Sequence, residues 1–111
     1  MRHELKTWPE FFRAVRENKK TFELRFDDRH YAVDDELLLR EFEPCRSCNG
    51  KGEECWANET RNCPDCAGSG GRYTGLSMLY SVTYILRDHP GIRGGYVIMG
   101  LYSLASGDAF V

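Results

Sequence analysis

Four of the five cysteines lie in two copies of one phrase, Cys-x-x-Cys-x-Gly-x-Gly, at residues 45–52 and 63–70. This spacing allows one tight turn to direct both sulfurs of a copy at a single point, and the glycines permit the positive φ that folds backbone N–H groups toward the thiolates. We call each copy a knuckle. Two knuckles supply four sulfurs, the number that a closed zinc site requires. The sequence therefore predicts one Zn²⁺ ion, with the ligands Cys45, Cys48, Cys63 and Cys66.

Four thiolates leave no open position on the metal for water or substrate, so the predicted zinc is structural and not catalytic. The surrounding segment, roughly residues 44–71, is rich in glycine, and we call it the cysteine hairpin. Metal binding in such a segment contributes on the order of 10 kcal/mol of apparent folding free energy. Cys55 could replace one of these ligands, but it lacks a partner at knuckle spacing and is expected to be a free thiol. Trp56 either caps the small metal core or is exposed for contact with a partner.

The charge of the chain limits the classes of partner. Its formal net charge is −2, whereas a protein that binds duplex DNA mainly through phosphates usually has a clear basic excess. No apolar run approaches the roughly 20 residues of a membrane span, and the N-terminal residues lack a signal-peptide pattern. Together with thiols at metal spacing, these features predict a cytoplasmic protein with no membrane association and no disulfide framework.

One helix is predicted near the N-terminus, after a short strand at residues 3–6. Thr7 is the candidate N-cap, and Glu10, three residues later, would complete a capping box. Pro9 suits the first turn of a helix. Apolar residues then recur at helical spacing to about Asn18, which predicts an amphipathic helix.

The chain beyond this helix predicts strands. Residues 21–26 alternate polar and apolar, as in a half-buried strand, and further strands are predicted at 37–42 and 96–101. Residues 74–87 are long enough for a bent strand or two strands joined at a bulge. Residues 1–111 therefore predict a single mainly β (α+β) domain. We expect a small, mostly antiparallel β-barrel with one N-terminal helix and an inserted zinc-ribbon hairpin.

Charged residues at the start of the strand predicted at 21–26 form a second candidate site. Glu23 and Arg25 are two residues apart and share one face of the strand with Thr21, while Lys20 lies where the preceding loop joins it. The pattern alone leaves two interpretations open. The face is solvated and carries cross-strand ion pairs, or it is a polar pocket in which the cations hold a phosphate or a base carbonyl and the glutamate accepts from a base amino group.

Several stretches on both sides of the cysteine hairpin occur together in one known family. In chain order they are His3-Glu-Leu-Lys6-x-Trp8-Pro-Glu-Phe-Phe12, Lys20-Thr-Phe-Glu-Leu-Arg25, Asp28-Arg29, Leu37-Leu-Leu-Arg-Glu-Phe42, Tyr73-Thr-Gly75, Val82-Thr-Tyr-Ile85 and Gly95-Tyr-Val-Ile98. In this combination the chain resembles the ASCH superfamily and, within it, the DUF3850 group. The two knuckles are similar to the zinc-binding repeats of DnaJ-type chaperones, which have twice as many.

The resemblance implies a PUA-like β-barrel of a kind associated with RNA and modified-nucleoside recognition, in a bacterial or phage-encoded protein. It favours a pocket at Lys20, Glu23 and Arg25. Lys6, close to the start of the helix, and Arg29, after the turn, are further ligand-binding candidates. Some ASCH members hydrolyse acetylated cytidine and carry Lys-Thr-x-Thr-x-Arg after the helix. Here Glu23 replaces the second threonine, the proposed nucleophile, which argues against the same chemistry.

Three hypotheses of function follow. The leading one is a non-catalytic module that binds RNA or a modified nucleotide in the pocket, with the cysteine hairpin extending its surface. The second is a nucleoside or nucleobase amidohydrolase in which Glu23 activates water and Lys20 stabilises the oxyanion. The third is a protein-interaction module whose working surface is the cysteine hairpin and whose partner the sequence does not identify.

Overall fold

The computed structural model of the chain describes residues 1–56 and 59–104, except for the side chains of residues 54–56. Its elements, in chain order, are β1 (Arg2–Thr7), α1 (Pro9–Arg16), β2 (Phe22–Phe26), β3 (Glu36–Pro44), β4 (Glu53–Trp56), β5 (Glu59–Asn62), β6 (Gly71–Leu86) and β7 (Tyr96–Ser103). Within the described ranges, no helix has the length and apolar character needed to cross a membrane.

Five strands form one sheet in the order β1-β3-β6-β7-β2. The pairing of β1 with β3 is parallel, and the other pairings in this sheet are antiparallel. The sheet curls into a half-barrel. Strands β4 and β5 form a separate two-stranded ribbon within the cysteine hairpin. The predicted mainly β fold, with one N-terminal helix and an inserted hairpin, is therefore confirmed.

Two arginines bridge the sheet's edge strands, β1 and β2. The guanidinium of Arg25, on β2, donates to the backbone carbonyl of Lys6 at 2.8 Å. The guanidinium of Arg29, in the loop after β2, donates to the carbonyl of Glu4 at 2.7 Å. These bonds satisfy two carbonyl groups at the edge of β1. They also connect β1 to the β2 side of the half-barrel, since the described strand pairings do not join these two edge strands.

The core lies between the concave face of the sheet and helix α1. The helix buries Phe12 and Val15 against inward-facing residues of the strands. Alternate residues of β1 and β3 point into this core, as the period of a strand requires. The buried apolar residues that form it are Leu5, Phe12, Val15, Tyr31, Leu37, Leu39, Met78, Tyr80, Val82, Val97 and Met99.

The start of the helix differs from its prediction. Thr7 continues β1, where it pairs with Glu41 of β3, and its buried hydroxyl donates to the Leu5 carbonyl at 3.4 Å. Trp8 is the N-cap residue and makes no side-chain capping bond, so the predicted capping box is wrong. The helix also ends at Arg16, before the predicted Asn18. The start of the helix is therefore set by the long-range pairing of Thr7 with β3 and not by the local capping pattern.

Strand β6 is one continuous 16-residue strand, and its pairing with β7 shifts register between Val82 and Tyr84. Of the two predicted possibilities, one long strand is present, and it carries a register irregularity of the kind that a bulge produces. The shift also changes which residues share a face, since Val82 is fully buried while the Tyr84 side chain is 65% exposed.

Candidate functional site

The two knuckles begin where the ladder between β3 and β6 ends, at the pairing of Pro44 with Gly71. In each knuckle a glycine after the second cysteine has positive φ and donates its backbone N–H to that cysteine's sulfur. Gly52 donates to Cys48 Sγ at 3.2 Å, and Gly70 donates to Cys66 Sγ at 3.3 Å. The backbone therefore approaches the sulfurs in the way that the glycine positions predicted.

The four predicted metal ligands lie together. Their sulfurs are all within 4.8 Å of one another. The Cys45 and Cys63 sulfurs are 3.9 Å apart, and the Cys48 and Cys66 sulfurs are 3.8 Å apart. Bonds of about 2.3 Å from one tetrahedral zinc ion to four sulfurs place those sulfurs about 3.8 Å apart. The donor set therefore fits a tetrahedral thiolate-bound metal ion.

The pKa values of two of the four thiols are shifted in opposite directions. Burial raises the pKa of the Cys63 thiol to about 11, and the neighbouring thiols of Cys66 and Cys48 act in the same direction. Burial acts to raise the pKa of Cys66 too, but hydrogen bonds from Gly70 and Gly68 outweigh it and lower that pKa to about 7. Four adjacent thiolates repel one another, so a bound cation is needed to keep all of them deprotonated.

A polar contact joins the knuckles on their outer side, where the Ser47 hydroxyl donates to the Asp65 carboxylate. These residues occupy equivalent positions in the two copies of the phrase. The side chains of Cys55 and Trp56 lie outside the described part of the structure, so their predicted roles stay predictions.

Strand β2 buries its polar face. Glu23 is only 2% exposed, whereas Phe22, Leu24 and Phe26 on the other face are 43–53% exposed. The strand itself is as predicted, but the apolar face is the outer one. Glu23 lies inside because two cationic side chains satisfy its carboxylate, without which burial of the charge would be too costly.

The predicted trio converges on this carboxylate. Lys20 Nζ lies 2.7 Å from Glu23 Oε1, and Arg25 Nε lies 2.9 Å from Glu23 Oε2. Each carboxylate oxygen thus has one charged donor. Because Arg25 also donates to the carbonyl of Lys6, the trio is anchored to the opposite edge strand. The arrangement combines the two interpretations that the sequence left open, since the side chains are ion-paired and also border open space.

That open space is a cavity of about 760 Å³ between β1, the start of α1 and β2, which we call the main cavity. Its apolar walls include Trp8, Phe11 and Phe22, each between 43% and 48% exposed. Its complete lining is Lys6, Thr7, Trp8, Phe11, Lys19, Lys20, Phe22, Glu23, Leu24 and Arg25. Four of these residues are cationic and one is acidic, so the cavity has a local basic excess in a chain whose net charge is −2.

The predicted ligand-binding residues are only partly brought together. Lys6, Lys20, Glu23 and Arg25 all line the main cavity, whereas Arg29 is not part of its lining and instead joins the two edge strands. Phe11, Phe22 and Lys19 also line the cavity and were not among the residues predicted for it. The pair Lys19-Lys20, next to the exposed Phe22, was a sequence pattern that could have indicated them.

A second buried polar cluster lies at the opposite end of β1. His3 is 6% exposed, and its Nε2 lies 2.9 Å from Asp35 Oδ2. The His3 ring also packs edge-on against Tyr31, with centroids 4.9 Å apart. The hydrogen bond from His3 and that from the Ala32 N–H lower the pKa of Asp35, against the opposing effect of burial. These contacts assign His3 a structural role as a satisfied ring within β1.

The comparisons with known proteins identify a family but no activity. A family model described as a domain of unknown function, DUF3850, matches residues 2–101. The matched range includes the described strands from β1 to most of β7 and thus the main cavity and the cysteine hairpin. A search among curated proteins finds no match. Since the family model covers far more than half of the sequence, the chain belongs to the DUF3850 family.

Proposed function

We propose that this protein binds single-stranded RNA or a modified nucleotide in the main cavity, and that a structural zinc ion holds the cysteine hairpin beside it. The observation that carries this proposal is the convergence of Lys20, Glu23 and Arg25 at an open cavity with aromatic walls. We also place the fold in the ASCH superfamily, as a PUA-like module, on the basis of the sequence resemblance.

The charge of the main cavity favours an anionic ligand. Lys6, Lys19, Lys20 and Arg25 face a space in which Glu23 is the one carboxylate of the lining. Lys20 uses one of its three N–H donors on Glu23, so others can reach a phosphate or a carbonyl oxygen. A localised cation cluster in a mildly acidic chain suits a single nucleotide or a short strand better than a duplex.

The walls of the main cavity favour a planar group. Exposed aromatic rings in nucleic-acid-binding proteins stack on bases, and each stack contributes about 1–3 kcal/mol. Trp8, Phe11 and Phe22 line the cavity, and each is more than two fifths exposed. The volume of about 760 Å³ lies within the range of small-molecule and cofactor sites.

The contacts of Glu23 favour binding over hydrolysis. A general base must reach the proton that it abstracts, and each oxygen of Glu23 is already within 3 Å of a cationic nitrogen. A carboxylate retains further acceptor capacity after accepting two bonds. We therefore assign Glu23 the role of orienting the two cations and accepting from a base amino group, and we propose no hydrolytic step.

Zinc is the metal that we propose for the cysteine hairpin, with one ion per chain. Tetrahedral four-thiolate sites of this spacing are typical of structural zinc. Such an ion contributes folding free energy to the hairpin and has no open position for a substrate.

The test of the nucleotide-binding proposal is fluorescence anisotropy with labelled single-stranded RNA of mixed sequence at several salt concentrations. Lys20→Ala and Arg25→Ala each remove a charged donor and should weaken binding by about 10- to 100-fold. Arg93→Ala is the matched control, because Arg93 is exposed and does not line the main cavity. Equal affinity in all four proteins, at equal thermal stability, would contradict the proposal.

A further inference from the structure

The indole of Trp8 lies between the main cavity and the cysteine hairpin. It lines the cavity on one side. On the other side it rests against the first knuckle, where a Cβ placed on Gly50 would be 3.3 Å from Trp8 Cζ2 and 3.1 Å from Pro44 Cβ. Trp8 is thus a wall of the cavity whose outer edge is supported by the backbone of the metal-binding segment.

The position of Gly50 depends in turn on the sulfur cluster. The Gly50 N–H donates to the carbonyl of Cys45 at 3.0 Å. The Gly50 carbonyl packs against Gly70, where an added Cβ would come within 2.8 Å, and the Gly70 N–H donates to Cys66 Sγ at 3.3 Å. Two short paths of backbone contacts therefore lead from the metal ligands to the residue that supports Trp8.

Hydrogen bonds also join the two knuckles, among them that from the Cys45 N–H to the Gly70 carbonyl at 2.7 Å, but the knuckles bury little apolar surface. Their described buried residues are Cys48, Gly52, Cys63 and Gly70, none of which provides a large apolar side chain. A segment with so little apolar surface keeps its shape when a metal ion joins its ligands. Loss of the ion should therefore release Gly50 from the outer edge of Trp8.

We propose that the cysteine hairpin positions Trp8, so that metal binding sets the shape of the main cavity and its affinity for a ligand. Gly50 is the positioning residue, because it acts through Trp8 and does not line the cavity. The part of the proposal that concerns affinity rests on the proposed function. The part that concerns the placement of Trp8 rests on the contacts alone.

The experiment uses the full chain with Trp56→Phe, so that Trp8 is the one tryptophan left of the two in the sequence. Acrylamide quenching of Trp8 fluorescence and anisotropy with single-stranded RNA are measured with zinc and after chelation. We expect chelation to increase the quenching constant and to weaken RNA binding by about tenfold, the scale of one lost base–aromatic stack. Far-UV circular dichroism should retain the signal of the half-barrel.

The repeated phrase supplies a matched pair of variants. Gly50 and Gly68 are equivalent positions of the two knuckles, with φ of 81° and 86°. An added methyl at Gly50 meets Pro44 and Trp8, whereas one at Gly68 meets Asn62. Both changes strain a left-handed turn to a similar degree. With zinc bound, Gly50→Ala should change Trp8 quenching and RNA affinity, and Gly68→Ala should leave both near the parent values.

Equal quenching of Trp8 with and without metal would overturn the proposal. So would equal effects of the two glycine variants, or a change in quenching with no change in affinity. If the parent protein binds no RNA while Trp8 still responds to metal and to Gly50→Ala alone, the proposed function fails and the positioning of Trp8 stands.

Discussion

The cysteine hairpin and the half-barrel are stabilised by different interactions within one small chain. The half-barrel has a continuous apolar core that includes Phe12, Leu37 and Met99, all essentially without solvent exposure. The hairpin has four sulfurs within 4.8 Å of one another and a backbone rich in positive-φ glycine. The comparison teaches that buried apolar area stabilises the first region, whereas the second brings together four sulfurs that could hold a metal ion.

The largest expected effect is a loss of structure in the hairpin that leaves the half-barrel folded. Cys63→Ser removes a fully buried ligand, so the bound zinc and the fixed structure of the hairpin should be lost. The change should remove on the order of 10 kcal/mol of apparent folding free energy from the hairpin while the half-barrel stays folded. Zinc analysis and hydrogen exchange would measure both results. Cys55→Ser is the control and should retain one zinc; retention of zinc by Cys63→Ser would contradict the account.

The next effect tests the polar cluster of the half-barrel. Glu23→Ala leaves Lys20 and Arg25 without their buried partner and should lower the free energy of unfolding by about 3 kcal/mol, as measured in urea. Glu17→Ala is the matched control, because Glu17 pairs with Lys19 at an exposed position and should lower it by less than about 1 kcal/mol. Similar decreases in the free energy of unfolding of the two variants would show that the ion pairs of Glu23 do not stabilise the fold more than an exposed pair does.

The two knuckles and β2 differ in how much of their structure can be predicted from the sequence. The cluster of four sulfurs was predictable because the geometry of each knuckle depends on local spacing, and both knuckles follow it. Burial of Glu23 was not predictable from alternation, because a charged residue enters a core when partners elsewhere satisfy it. Here the partners are a loop lysine and an arginine that is itself anchored to β1.

Long-range contacts also explain the other differences. Thr7 has the local features of an N-cap but pairs with Glu41 across the sheet. Trp8 lines the main cavity on one side and lies beside Gly50 of the first knuckle, about forty residues later in the chain, on the other. The length of β6 indicated that the strand could contain an irregularity, but the sequence did not indicate that the Tyr84 side chain would be exposed.

A smaller effect concerns the acid stability of the half-barrel. The pKa of Asp35 is lowered from its ordinary value of 3.8, so the folded state holds the carboxylate more strongly than the unfolded chain does. Its contribution is therefore complete above pH 3.8 and is lost as the pH falls through the lower folded value. Asp35→Asn should flatten this part of the stability curve.

Urea unfolding of the parent and of Asp35→Asn at a series of acidic pH values would measure this effect. Asp28→Asn, at an exposed loop position, is the control and should keep the parent's pH dependence. An unchanged acid slope in Asp35→Asn would contradict the contribution assigned to the contact between Asp35 and His3.

The smallest expected effect is a null result that distinguishes binding from catalysis. Incubation of the zinc-loaded protein with acylated nucleosides should give no hydrolysis above background, because both oxygens of Glu23 are held by cations. Chromatographic detection of released acid would measure it, with Glu23→Gln as the comparison. Turnover by the parent that the Glu23→Gln protein lacks would replace the binding proposal with an amidohydrolase.

The most direct measurement of the central claim is an NMR titration of the isotope-labelled, zinc-loaded protein with short single-stranded RNA. The account predicts that shift changes concentrate at the walls and floor of the main cavity, at Trp8, Phe11, Phe22 and the Lys20–Arg25 segment. Two results would contradict binding in the main cavity. One is shift changes confined to the β4–β5 ribbon, and the other is no shift changes at RNA concentrations that saturate other single-strand RNA-binding domains.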